Sequence, residues 1–181
     1  MAANLPPCGG DVRQDRGGQR RALSFCILIG LATAPSPALA ACPIELSTYG
    51  DVEDAASINF RPTGDNATVT NTFRLIIGEV VLDGIVMWSD GVGRPNGILS
   101  YKCPIGDVTG PELEACTAWQ GVIYTSDGSG NIGLLPAEGE DAPQKLILSD
   151  LTHALRFSAV REVAGIEKLP WDVFALNGCQ E

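Results

Sequence analysis

Histidine is almost absent from this chain, with one residue, His153, in 181. That excludes zinc sites built from two or three histidines, including the zincin helix, which needs two on one face. Basic residues are scarce too. Twelve Lys and Arg stand against 22 Asp and Glu, a formal net charge of -10. Phosphate backbones require a basic face, so nucleic acid is excluded as a partner. None of the six cysteines forms a C-x-x-C pair, which removes the zinc ribbon and the redox dithiol. No G-x-S-x-G nucleophile elbow occurs. Nothing in the sequence implies a cofactor. What is present is a hydrophobic content of 45% with 19% charged residues, the balance of a folding chain of one domain rather than a disordered one.

The N-terminal stretch reads as a targeting segment. Residues 1–18 show no helical or strand period. Arg20 and Arg21 precede Ala22–Ala34, an apolar run of 13 residues. A membrane span needs roughly 20 such residues, whereas a signal-peptide core needs about 7 to 15. Pro35 and Pro37 break the run just before Ala38-Leu39-Ala40, an A-x-A site. Cleavage between Ala40 and Ala41 gives residues 1–40 as a removed signal peptide and 41–181 as the mature chain. The arginine pair with Leu23 leaves twin-arginine export open beside the general route. Leu39-Ala40-Ala41-Cys42 also resembles a lipobox, which would make Cys42 a lipid-anchored N-terminus. Removing Arg13, Arg16, Arg20, Arg21, Asp11 and Asp15 leaves 8 basic and 20 acidic residues, a mature charge of 8 − 20 = -12. No second apolar run approaches membrane length, so no transmembrane span is expected in the mature chain.

Four cysteines remain beyond residue 41: Cys42, Cys103, Cys116 and Cys179. An even set in an exported chain favours two bridges and argues against lipidation, which would leave three thiols. Of the three pairings, Cys103–Cys116 closes a turn-rich loop and Cys42–Cys179 staples the two ends of the mature chain, which tend to lie close together in a compact domain.

The mature chain alternates like a β protein. Strands are expected at 57–61, 67–73, 98–103, 121–124, 132–135, 145–148 and 172–176. Residues 75–88 favour strand, broken at Gly78 and at Asp83-Gly84, a tight turn or bulge. Residues 42–56 read as polar turns. Thr109-Gly-Pro-Glu112 has the form of a capping box, predicting a short helix to about Ala115. Ser149 or Asp150 caps a second helix with Leu151, Ala154 and Leu155 on one face. From Arg156 onward helix and strand periods compete. The fold class is thus α+β or mainly β, a small antiparallel sheet or sandwich-like domain with two short helices.

Candidate sites each have an ordinary structural explanation beside them. Asp127, Ser129 and Asn131 place oxygens at alternate positions and Glu138 falls twelfth, as in a calcium loop. Ile132, however, stands where that loop needs glycine, and a hairpin turn explains the same residues. His153, three residues after Asp150, would suit a carboxylate-oriented base, but it lacks a nucleophile and equally suits a helix surface. Asp83, Asp90, Asp107 and Glu112 lie near turns; two of them would serve as an acid/base pair in hydrolysing an envelope polymer. Aspartate is also an ordinary turn residue. Trp88, Trp119 and Trp171, with Tyr101 and Tyr124, would line a ligand surface or fill the core. Arg94-Pro-Asn-Gly97 would hold an anion, and Asn66-Ala-Thr68 has the sequon form. The leading expectation is a periplasmic or secreted binding or envelope-structural module. A carboxylate-dependent hydrolase and a lipoprotein anchored through Cys42 stand as alternatives.

Overall fold

The computed structural model describes residues 42–64, 68–88 and 91–180. The leader with its Ala40/Ala41 cleavage site, Asn66 of the sequon and Asp90 lie outside them. The fold is mainly β. Ten antiparallel strands form one sheet in the order β6-β5-β4-β3-β2-β1-β10-β9-β7-β8. They are β1 Ser47–Asp51, β2 Ala56–Arg61, β3 Val69–Ile77, β4 Val80–Met87, β5 Asn96–Ser100, β6 Thr117–Gly121, β7 Ile123–Ser126, β8 Ile132–Leu134, β9 Lys145–Leu148 and β10 Val173–Cys179. Three short helices accompany them: α1 Gly110–Cys116, α2 Leu151–Phe157 and α3 Ala159–Ala164. The segment after Arg156, where two periods compete, supplies the third helix.

Alternation builds the core. Ile58 and Phe60 of β2, Phe73 and Leu75 of β3, Leu82 and Val86 of β4 and Leu99 of β5 all point to one face and are buried. Register places Phe60 opposite Phe73 and Leu75 opposite Leu82. The Phe60 and Phe73 rings lie 5.4 Å apart, within the range in which aromatic pairs attract. The sheet must curl, because β6 stands at one end of it and β7 is second from the other, with only Val122 between them. Trp119 fills the seam. It is buried, pairs with Leu99 in register, and donates its indole N–H to the Ser149 carbonyl at 2.8 Å. A Cβ on Gly97 or on Gly121 would come within 2.9 or 2.7 Å of its ring, so glycine at both positions lets the ring lie against the backbone. The result is a half-barrel.

Two expectations are corrected. The tight turn is not at Asp83-Gly84 but at Gly78-Glu79, where Ile77 pairs with Val80 and Gly78 takes φ +58°. Gly84 lies inside β4 for a different reason: a Cβ there would sit 2.5 Å from the Phe73 ring. Phe73 is fully buried and has nowhere to retreat. Gly84→Ala is therefore expected to destabilise the fold by about 1–3 kcal/mol, seen as a lower urea midpoint at unchanged slope. The second correction is β1. Residues 47–51 form a central strand between β2 and β10, not a polar turn. Their polarity is absorbed by bonding: Ser47 Oγ donates to the Ile44 carbonyl at 2.6 Å, and the buried Tyr49 hydroxyl donates to the Pro143 carbonyl at 2.9 Å. Burial pushes the Tyr49 phenol well above its ordinary range, against a smaller lowering by Ser47.

Both disulfides are formed, in the pairing expected from the spacing. Cys42–Cys179 joins residues with Cα atoms 5.7 Å apart, and Cys103–Cys116 joins a pair at 5.2 Å, both inside bridging reach. Around the first bridge, Ala142 N–H donates to the Cys42 carbonyl and Gln180 N–H to the Leu46 carbonyl, each at 2.7 Å. Among the described residues no helix is long and apolar enough to cross a membrane.

Candidate functional site

Most of the acidic candidates are already committed to local structure. Asp83 Oδ1 lies 3.4 Å from both Arg61 Nη2 and Arg74 Nε. Glu112 closes the capping box of α1, accepting from the Thr109 amide at 3.0 Å and hydroxyl at 2.6 Å. Those two bonds, the hydroxyl first, hold its carboxyl below the ordinary range. Asp107 is exposed. The four carboxylates proposed for acid/base work are thus an ion cluster, a helix cap, an exposed loop residue and one position outside the described residues.

The calcium pattern dissolves in the same way. Asp127 accepts from the Ser129 amide at 2.8 Å, the Asn131 amide at 2.9 Å and the Asn131 side-chain amide at 2.7 Å. Asn131 leads the interactions that keep its carboxyl low. These are the bonds of a turn closing β7 onto β8. Glu138 instead accepts from the hydroxyl and amide of Thr63, tying the β8–β9 loop to the loop after β2, and those bonds hold its carboxyl low as well. No group of three or more His, Cys, Asp or Glu suited to a metal occurs among the described residues. The His153 and Phe157 rings lie 4.9 Å apart and tilted to each other, both exposed on α2. Asp150 occupies the N-cap position of α2 with left-handed backbone but makes no side-chain cap bond. That job falls to Asp172, whose Oδ1 accepts from the Thr152 amide at 2.7 Å.

The aromatic candidates separate cleanly. Trp119 is core, and Tyr101 is half-buried with the Lys102 ammonium 4.8 Å from its ring centre. Trp88 and Trp171 remain 52% and 54% exposed, unusual for a side chain of such apolar area. The Trp171 backbone amide donates to Asp51 Oδ2 at 3.3 Å.

Two grooves mark opposite ends of the half-barrel. One, of about 760 Å³, lies where β3 turns into β4 and is lined by Asp54, Glu79, Tyr101, Lys102, Glu167 and Lys168 among others. Its cations are internally engaged: Lys102 over Tyr101, and Lys168 with both the carbonyl and carboxylate of Glu53. Asp54 and Lys102 there hold left-handed backbone, as residues of turns do.

The other groove, of about 360 Å³, lies where β3 begins and β4 ends. Trp88, Thr70, Asn71, Leu134, Leu135 and Glu140 line it with Pro136 and Ala137. Asn71 is 3% exposed, and its side-chain nitrogen donates to the Pro136 carbonyl at 3.0 Å. Because that carbonyl can only accept, the amide orientation is fixed. Glu140 Oε2 accepts from the Ala137 amide at 2.9 Å. Beside this groove, Arg94 Nη1 donates to the Tyr124 hydroxyl at 3.2 Å, and Tyr124 is the cross-strand partner of Leu134. The β4–β5 loop thus brings Trp88 and Arg94 to two residues directly opposite each other. Their convergence was not visible in the sequence, and Asn71 and Glu140 carried no signal of their own.

Comparison with protein-family models, with curated proteins and with solved structures found no match to this chain.

Proposed function

We propose that this chain is an exported module, periplasmic or secreted, whose role is binding or envelope-structural rather than catalytic. Residues 1–40 act as the signal peptide and 41–181 as one disulfide-locked domain. The observation that carries this reading is that all four cysteines beyond residue 41 are joined in two bridges, an arrangement that persists in oxidising compartments. A lipoprotein would need Cys42 Sγ for its thioether, and the bond to Cys179 occupies that atom. A carboxylate-dependent hydrolase would need two free, converging acids, whereas Asp83 and Glu112 are bound into an ion cluster and a helix cap. Intact-mass measurement of the protein recovered outside the cytoplasm tests the proposal. It is expected to begin at Ala41, carry no lipid, and take up a thiol label at four cysteines only after reduction. A lipid adduct at residue 42, or labelling without reduction, would overturn it.

A further inference from the structure

We propose that the groove bounded by Trp88, Asn71 and Glu140 binds a ring of a saccharide, neutral or amine-bearing. This inference rests on the reading of the chain as a binding module and names its ligand. A sugar ring presents an apolar C–H face and a rim of hydroxyl groups. The groove supplies the complement of both. Trp88, half exposed at its edge, offers a broad flat surface whose negative face attracts polarised hydrogens. Asn71, buried and fixed by its bond to Pro136, retains one amide hydrogen and a carbonyl oxygen, a donor and an acceptor side by side for neighbouring hydroxyls. Glu140 uses one carboxylate oxygen on Ala137 and has the other for a hydroxyl or an ammonium. The volume, about 360 Å³, falls at the small end of ligand pockets. An apolar wall with a few fixed polar groups is the usual composition of such a pocket.

The same residues exclude other ligands. No Lys or Arg lines the groove, and Glu140 adds a negative charge to a chain already at -10. Phosphate and carboxylate ligands are therefore disfavoured inside the groove, Arg94 standing beside it on the Tyr124 hydroxyl. A purely apolar ligand would bury the second Glu140 carboxylate oxygen unpaired, a penalty that disfavours it.

The test titrates the disulfide-bonded protein with cellohexaose, maltohexaose, chitohexaose and deacetylated chitohexaose, with hexagalacturonate as the acidic arm. Indole fluorescence and NMR shifts of the Trp88 indole and Asn71 side-chain amide report binding. At least one neutral or amine-bearing oligomer is expected to bind with a Kd between about 1 μM and 1 mM. Trp88→Ala is expected to weaken that binding about tenfold or more, Trp88→Phe less, and Trp171→Ala not at all. Because Trp88 stands half exposed, its replacement leaves the core intact, and far-UV circular dichroism checks this for each variant. Absence of binding by every oligomer at about 10 mM, binding by the acidic oligomer alone, or binding that Trp88→Ala does not change would overturn the proposal. Any of these, with the protein exported and both bridges formed, leaves the module reading standing. Retention in the cytoplasm with free thiols removes that reading independently of any sugar.

Discussion

Replacing Cys42 and Cys179 together by serine is expected to remove about 5 kcal/mol of stability. The bridge joins residues 137 apart in sequence, and by the chain-entropy estimate a cross-link over so long a loop removes about that much freedom from the unfolded chain. A natural domain has only about 5–15 kcal/mol in total, so the double variant should be largely unfolded near body temperature. The folded side changes little, because backbone bonds hold the same ends: Ala142 to Cys42 and Gln180 to Leu46. Gln180 Nε2 also donates to the Phe60 carbonyl at 2.7 Å. The effect should therefore appear mainly in the unfolded state, as a steeper dependence on urea for the variant. Removing Cys103 and Cys116, only 13 residues apart, should cost about 3 kcal/mol on the same estimate. Urea unfolding of both double variants checks the ordering. If the short-loop variant proves the less stable of the two, the end-to-end staple is not the dominant constraint.

How much of this was legible in the sequence depends on the range of the interactions. Residues 145–148 could be read directly, because Lys145-Leu-Ile-Leu148 is a short apolar run bounded by Pro143 and Ser149. The α1 capping box could be read because Thr109 and Glu112 are three residues apart and satisfy each other. The turn of Asp127 is local in the same sense. β1 could not be read: Ser47-Thr-Tyr-Gly-Asp51 has no apolar alternation, and its place is set by β2 on one side and β10, over 120 residues away, on the other. Gly84 looked like a turn residue because only the tertiary position of Phe73 explains it. The cap of α2 looked as though it belonged to Ser149 or Asp150, and it comes from Asp172, over 20 residues further along the chain. The candidate site has the same character. Trp88 stood out by residue type, but the groove also needs Asn71 from β3 and Glu140 from the loop after β8. Their distance in sequence hid the grouping.

Asp51 is the clearest residue of this hidden kind, and its replacement by alanine is expected to destabilise the fold by about 2–4 kcal/mol. The side chain is nearly enclosed, at 5% exposure. Its Oδ1 accepts from the Ala55 amide at 2.7 Å and the Ala56 amide at 3.4 Å, and its Oδ2 accepts from the Trp171 amide at 3.3 Å. One carboxylate thus shapes the β1–β2 turn and fastens it to the segment entering β10. No lysine or arginine pairs with it among the described residues, so backbone donors alone compensate the buried charge. Alanine would leave those amides without an acceptor in a poorly hydrated position, which costs more than the bond itself contributes. The Asp51→Asn variant would keep one acceptor oxygen and lose the charge, so an intermediate loss is expected. Urea unfolding gives the magnitude for each variant. Amide hydrogen exchange at Ala55, Ala56 and Trp171 shows whether the loss is at those bonds, since faster exchange confined to them ties the energy to the carboxylate. A change in stability below about 0.5 kcal/mol for Asp51→Ala, the range of an ordinary surface substitution, would mean that water reaches these amides and that the turn is held by its strands alone.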